Sequence, residues 1–179
     1  MPHIALPPQL PGVLGLLAFK PSVGTALAGF IQQLLRGDSS LSAADRELLA
    51  AYVSRLHECE FCNRSHAAAA RALGADATAC AAVTGAPEIP DGSPRLQALF
   101  RLAAAVVPGG HGVTAGIVAD ARAAGAGDED IHDTVLIAAA FCMLTRYVDG
   151  LDTAVPPDNA AYDLMGERLA RKGYPVGPQ

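Results

Sequence analysis

Apolar residues recur three and four positions apart along most of this 179-residue chain, and few segments alternate with the period of two that marks a half-buried strand. Over about residues 22–36, Leu27, Phe30, Ile31, Leu34 and Leu35 form one helical stripe, which Gly37 ends. Ser42, with Asp45 three positions on, resembles a capping box opening the next helix, "ADRELLAAYVSRL". A third helix is expected over about residues 59–73, closed by Gly74, and a short one within 76–85. After a loop at 85–92, Ser93 and Pro94 open a helix to about Val107, ended by "PGGHG". Thr114 caps another to Ala124, Asp128 caps a long one to about Gly150, and a last helix covers 160–172.

The pattern therefore predicts an all-α, compact single-domain bundle of about eight helices: an extended N-terminal arm (1–21), a helical domain (22–172) and a flexible tail (173–179). Val13 to Phe19 is apolar but too short to span a bilayer, and neither a basic leader nor a cleavage site accompanies it. No membrane role and a cytoplasmic location are the expectation. The chain is 51% hydrophobic with 5% aromatic residues and no tryptophan, a composition suited to closely packed aliphatic helices. That much aliphatic surface also suggests burial between subunits. A net charge of -5 without a basic run excludes a nucleic-acid surface.

Candidate chemistry concentrates in "ECEFCNRSH", residues 58–66. In a reducing compartment a close cysteine pair is more often catalytic or metal-binding than structural. On a helix, Cys59, Cys62 and His66 stand at i, i+3 and i+7, on one face. Cys62 and His66 are an i, i+4 pair, close enough for imidazole to take the thiol proton. Backbone N–H groups at a helix N-terminus also favour a thiolate. Lowering a cysteine from a pKa of about 8.5 to about 6.5 would raise the thiolate fraction at pH 7 roughly 25-fold. Exposure at the helix end favours Cys59 as the reactive thiol, and proximity to His66 favours Cys62.

A histidine base works better with a carboxylate behind it. Glu47 lies 12 residues before Cys59, about 18 Å away on a straight helix and out of reach. The helix must break near "RLHEC" so that Glu47 faces His66 across a helix pair. Glu58 and Glu60 are expected to point to solvent, and His57 to lie at the surface beside the site. Cys80 and Cys142 read as small core residues, and Arg146, Asp149 and Asp152 as a solvated face.

The pattern Glu47-x11-Cys59-x2-Cys62-x3-His66, preceded by "LSAADRELLAAYVSRL", resembles the signature of the alkyl hydroperoxide reductase D (AhpD-like) group of the carboxymuconolactone decarboxylase superfamily. "AGAGDEDIHDTVLIAAAFCMLTRYVDGL" is similar to that superfamily's second characteristic helix, so the resemblance covers roughly residues 42–151. It implies an all-helical homo-oligomer, a trimer or hexamer. It further implies a peroxidase in which Cys62 is oxidised by a hydroperoxide, Cys59 resolves the sulfenic acid to a disulfide, and Glu47 and His66 relay protons. No tightly bound cofactor is implied; an external dithiol, lipoyl-bearing or thioredoxin-like, would be the reductant. The chain departs from the best-described members at Phe61, where they carry histidine, and at Cys142 and Thr145, where relatives often carry asparagine. Competing readings are a thiol-independent decarboxylase of the same superfamily, a non-catalytic redox-sensing module, and a zinc site using Cys59, Cys62, His66 and Glu47 or His57.

Overall fold

The computed structural model describes residues 1–85 and 88–174. Among these it is all-helical: α1 (Val13–Phe19), α2 (Pro21–Arg36), α3 (Ala43–Leu56), α4 (Glu60–Ala72), α5 (Ala77–Thr84), α6 (Pro94–Val106), α7 (Ala115–Ala123), α8 (Asp128–Gly150) and α9 (Asn159–Lys172), with a 3-10 turn at Gly110–Gly112. Ser42, Ser93 and Thr114 cap helices as expected, but Asp128, expected as a cap, is the first residue of α8, whose cap is Gly127. Ser42, Asp76, Ser93, Thr114 and Asp158 each accept a hydrogen bond from a backbone N–H in the first turn of the following helix. The long helix α8 begins one residue beyond its cap, Gly127, whose N–H donates to the Asp130 carboxylate.

The centre of the bundle is α3. Every residue from Arg46 to Ser54 is buried, because α4, α5, α6 and α8 all pack against this helix. Leu48, Leu49, Tyr52 and Val53 form its apolar surface, with the Tyr52 ring edge-on to Phe100 of α6. Burying side chains of this size contributes about 1.5–3 kcal/mol each. A polar residue on such a helix has no solvated side to choose, which decides the fate of Glu47. Helix α8 is long and apolar enough to cross a membrane by composition, yet it lies along α3 and α6, with Ile137, Ala138, Phe141 and Leu144 in the core.

Both chain ends differ from expectation. Residues 1–21 are not simply extended: Val13–Phe19 is helical. Seven residues cannot hold a helix alone, but Leu16 is buried in a cluster with Cys59, Phe61 and Cys62. The preceding turn is anchored by the Gly12 N–H donating to the Ala154 carbonyl at 2.9 Å. Gly12 has φ +57 and lies flat on the Phe61 ring, where a Cβ would come within 2.2 Å of ring carbons. Gly173 and Tyr174, placed in the flexible tail, are instead docked on the site, with the Tyr174 N–H donating to Gln32 Oε1 at 2.7 Å. Residues 175–179 of that tail, and 86 and 87 of the expected 85–92 loop, lie outside the described residues.

Candidate functional site

The chain reverses between α3 and α4 through a tight C-terminal cap. The Cys59 N–H donates to the Ser54 carbonyl (3.0 Å) and the Glu58 N–H to the Arg55 carbonyl (2.9 Å), the paired bonds of a Schellman motif. Such a motif wants a left-handed residue, normally glycine, and here Glu58 takes φ 59. The turn makes Cys59 the N-cap of α4 and puts Cys62 in that helix's first turn. Asn63 then pins α4 from within, its amide donating to the carbonyls of Ala51 (2.9 Å) and Val83 (2.8 Å).

The antiparallel α3 and α4 bring Glu47 and His66 together. Glu47 is fully buried, and its Oε2 lies 2.6 Å from His66 Nδ1. Its Oε1 accepts from Arg36 Nη2 at 2.6 Å and from the Tyr174 hydroxyl at 2.8 Å. Burial opposes ionisation of Glu47, but His66 and Arg36, with the bond from Tyr174, outweigh it and hold the carboxyl below its ordinary range. An ionised carboxylate only accepts, so Nδ1 carries the hydrogen, and any proton taken up or released by the ring is exchanged at Nε2. The His66 ring is fixed edge-on against Phe141 and stacked with Tyr174. A histidine oriented in this way is a competent general base.

Both thiols are buried. A hydrogen bond with Cys59 and desolvation push the Cys62 thiol well above the ordinary cysteine range, with Asp149 adding in the same direction. This corrects the expectation that the helix N-terminus leaves Cys62 ready as a thiolate: its burial opposes the helix end. The thiol keeps its proton at rest, and a base one helical turn away is what could remove it. Cys59 is at the floor of an open, mainly polar cleft of about 520 Å³, whose walls include Glu60, Arg64, Arg71 and Tyr162. A second, smaller apolar cavity shares no lining residue with this cleft and has His66 in its wall.

Several surrounding residues take definite places. Glu58 and Glu60 are exposed, with Glu60 paired to Arg64 at 2.6 Å. Phe61, buried beneath Gly12, occupies an apolar setting in which an imidazole would be desolvated. Thr145 returns its hydroxyl to the Phe141 carbonyl of its own helix at 2.8 Å. Cys80 is buried in the core as expected. Cys142 is only half-buried, and His57 Nε2 lies 3.1 Å from its sulfur, so Cys142 is not simply a core residue and His57 not simply a surface one. His57 is held below the ordinary histidine range, first by desolvation and then by Arg146. Among the described residues, no group of three or more histidine, cysteine and carboxylate side chains is arranged to hold a metal. The zinc arrangement weighed from the sequence is therefore not assembled.

Sequence reasoning passed over Arg36 and Tyr174, which complete the shell around Glu47. Arg36 read as the last residue before a stop glycine. The signal for Tyr174 was an aromatic inside a Gly/Pro-rich tail, "GYPVGPQ".

Comparison with known proteins adds to this geometry. The carboxymuconolactone decarboxylase family model matches residues 21–105, a span that contains Glu47, Cys59, Cys62 and His66 but not Tyr174. No curated protein matches the chain. A crystal structure from Ralstonia eutropha JMP134, described as an alkylhydroperoxidase AhpD core and an uncharacterized peroxidase-related protein, is 25% identical, with a TM-score of 0.77, covering 88% of this chain and 81% of that one. An uncharacterized peroxidase-related protein from Silicibacter sp. TM1040 is also 25% identical, with a TM-score of 0.76, covering 86% of this chain and 78% of that one.

Proposed function

The chain is an AhpD-like member of the carboxymuconolactone decarboxylase superfamily, and from that premise we propose that it is a thiol-dependent hydroperoxidase. A peroxidase-related role in general follows from the family and its structural neighbours. The specific activity rests on one observation: a buried Glu47–His66 pair, with Nδ1 held by the carboxylate at 2.6 Å, one helical turn from a buried dithiol.

In the proposed cycle, His66 Nε2 takes the proton of Cys62 as its sulfur attacks the distal oxygen of a hydroperoxide. The O–O bond breaks, the alcohol leaves with the returned proton, and Cys62 becomes a sulfenic acid. The Cys59 thiol displaces water from that acid to form the Cys59–Cys62 disulfide. An external dithiol then restores both thiols by exchange and is itself oxidised. Glu47 stabilises the transient imidazolium without taking its proton. The raised resting position of Cys62 supports the need for this base, because a thiol already ionised would not require one.

The reductant is proposed to be a lipoyl-bearing or thioredoxin-like dithiol that approaches Cys59 through the polar cleft. The protein is proposed to act in the cytoplasm and to assemble as a trimer or hexamer; the exposed Phe19, Val23 and Phe30 support self-association. The test is a count of free thiols by mass spectrometry before and after one equivalent of organic hydroperoxide. Loss of two thiols, with peptide mapping to Cys59 and Cys62, is expected. Cys62→Ser should abolish turnover, whereas Cys59→Ser should accumulate a sulfenic acid trapped by dimedone. Turnover that survives Cys62→Ser would remove the mechanism, and a reversible disulfide formed without peroxide consumption would make the protein a redox sensor.

A further inference from the structure

The apolar cavity beside His66 differs from the cleft at Cys59 in both size and lining. It holds about 80 Å³ and is walled by Leu14 and Leu17 of α1, Leu27 and Ile31 of α2, and Phe141 and Leu144 of α8, with the His66 and Tyr174 rings at one side. Phe61 and Ser65 of α4, which flank Cys62 on the helix surface, also line it. Most of the wall is hydrocarbon, and its polar side chains are Ser65, His66, Arg168 and Tyr174; of these, the His66 imidazole is the one a helical turn from Cys62.

Tyr174, with Gly173 before it, enters the wall from beyond the end of the last helix. Gly173, at φ +65, turns the chain back. Three side chains then hold the tyrosine: Gln32 accepts its N–H, Glu47 accepts its hydroxyl, and the Arg36 guanidinium lies 5.3 Å from the ring centroid. The ring closes the cavity against His66, 6.2 Å away between centroids and nearly parallel at 20°.

Building on the hydroperoxidase reading, we infer that this cavity receives the alkyl group of an organic hydroperoxide and that Tyr174 sets the upper limit on its size. An apolar cavity of about 150 Å³ takes a benzene molecule. At about 80 Å³, this one takes a hydrocarbon of a few carbons and rejects an aryl group while the Tyr174 ring is in place. In this proposal the alkyl group fills the cavity and the O–O bond projects past His66, which is in the wall, toward Cys62, which lies one helical turn away and outside that wall. Oxidation then proceeds as ROOH plus Cys62 thiol to ROH plus Cys62 sulfenic acid. Tyr174 touches neither reacting sulfur nor oxygen in this scheme and acts as a specificity residue.

The experiment compares wild type, Tyr174→Phe, Tyr174→Ala and Leu17→Ala, the last enlarging the cavity from α1 while leaving the tyrosine in place. For each, kcat/KM is measured with tert-butyl and with cumyl hydroperoxide; the change in their ratio between proteins cancels intrinsic reactivity. Tyr174→Ala and Leu17→Ala should each shift the ratio toward the cumyl substrate, by about tenfold for the tyrosine. Tyr174→Phe, which keeps the ring, should leave it within twofold. In parallel, NMR titration of the same proteins carrying Cys62→Ser with the redox-inert alcohols tert-butanol and 2-phenyl-2-propanol reads the cavity without turnover. The aryl alcohol should perturb cavity resonances only in the enlarged variants. If the alcohols show this selectivity but no protein consumes peroxide, the hydroperoxidase reading fails and the pocket stands. If neither the ratio nor alcohol binding responds to either enlargement, the pocket assignment is overturned, whatever the activity.

Discussion

Replacing Glu47 by glutamine tests the centre of the site most directly, because the change keeps shape and removes only charge. The native carboxylate accepts from Arg36, His66 and Tyr174. An amide offers one acceptor oxygen and turns its NH2 toward a donor, so one of those donors is left opposed, and the Arg36 cation, 11% exposed along its side chain, loses its counter-charge. Breaking a buried pair in this way costs about 3–5 kcal/mol, a large share of the 5–15 kcal/mol typical of a domain. At about 2–4 °C per kcal/mol for a chain of this size, Tm should fall by about 6–20 °C. The pH dependence carries the signature. Glu47 sits below its ordinary range in the folded protein, so its contribution is fully present above the unfolded value of about 4.3 and is lost as pH falls through the lower folded value. Urea denaturation of both proteins from pH 7 to pH 3 should show a gap in stability that is constant down to about pH 4.3 and closes below it. A gap under about 0.5 kcal/mol at pH 7, within the ordinary scatter of surface substitutions, would refute the account of Glu47 as a charged, triply bonded hub. So would a larger gap that does not depend on pH.

Other outcomes follow from single features. Alkylation of Cys62 by iodoacetamide should rise only above the pH at which a free cysteine (pKa about 8.5) reacts, and Cys59→Ala should move that rise to lower pH by removing the hydrogen bond that is the first cause of its elevation; a midpoint at or below that of free cysteine would contradict the geometry. Glu58→Gly should stabilise the protein by about 0.5–1 kcal/mol in urea melts, since it relieves a left-handed L-residue at the α3 cap at the expense of some unfolded-state entropy; a loss of stability would show that the side chain matters more than the backbone. Gly166→Ala should cost about 1–3 kcal/mol, because a Cβ there would meet the Ala68 backbone at 2.5 Å and push α9 from α4. The same variant should loosen Tyr174, read as faster quenching of tyrosine fluorescence by acrylamide; an unchanged melt would mean the helices accommodate the methyl.

The helices were legible from the chain because their signals are local. Ser42, Ser93 and Thr114 cap helices through their own hydroxyls, and a cap needs only the next three residues. The closeness of Cys59 and Cys62 was legible for the same reason, and the break near "RLHEC" that lets Glu47 meet His66 followed from reach alone. Helix α1 was missed because its seven residues are helical only against the Phe61 cluster. The engagement of His57 with Cys142 joins residues 85 positions apart, and no pattern along the chain announces it.

The sequence by itself thus determined which residues could act and which helices would carry them, since residue spacing and capping are properties of neighbours. Their protonation was decided by tertiary structure: the position of Cys62 depends on burial and on Cys59, and that of Glu47 on Arg36, His66 and Tyr174 arriving from three other segments. Desolvation and Coulomb interaction act through space, and the distances they act over exist only once the chain has packed.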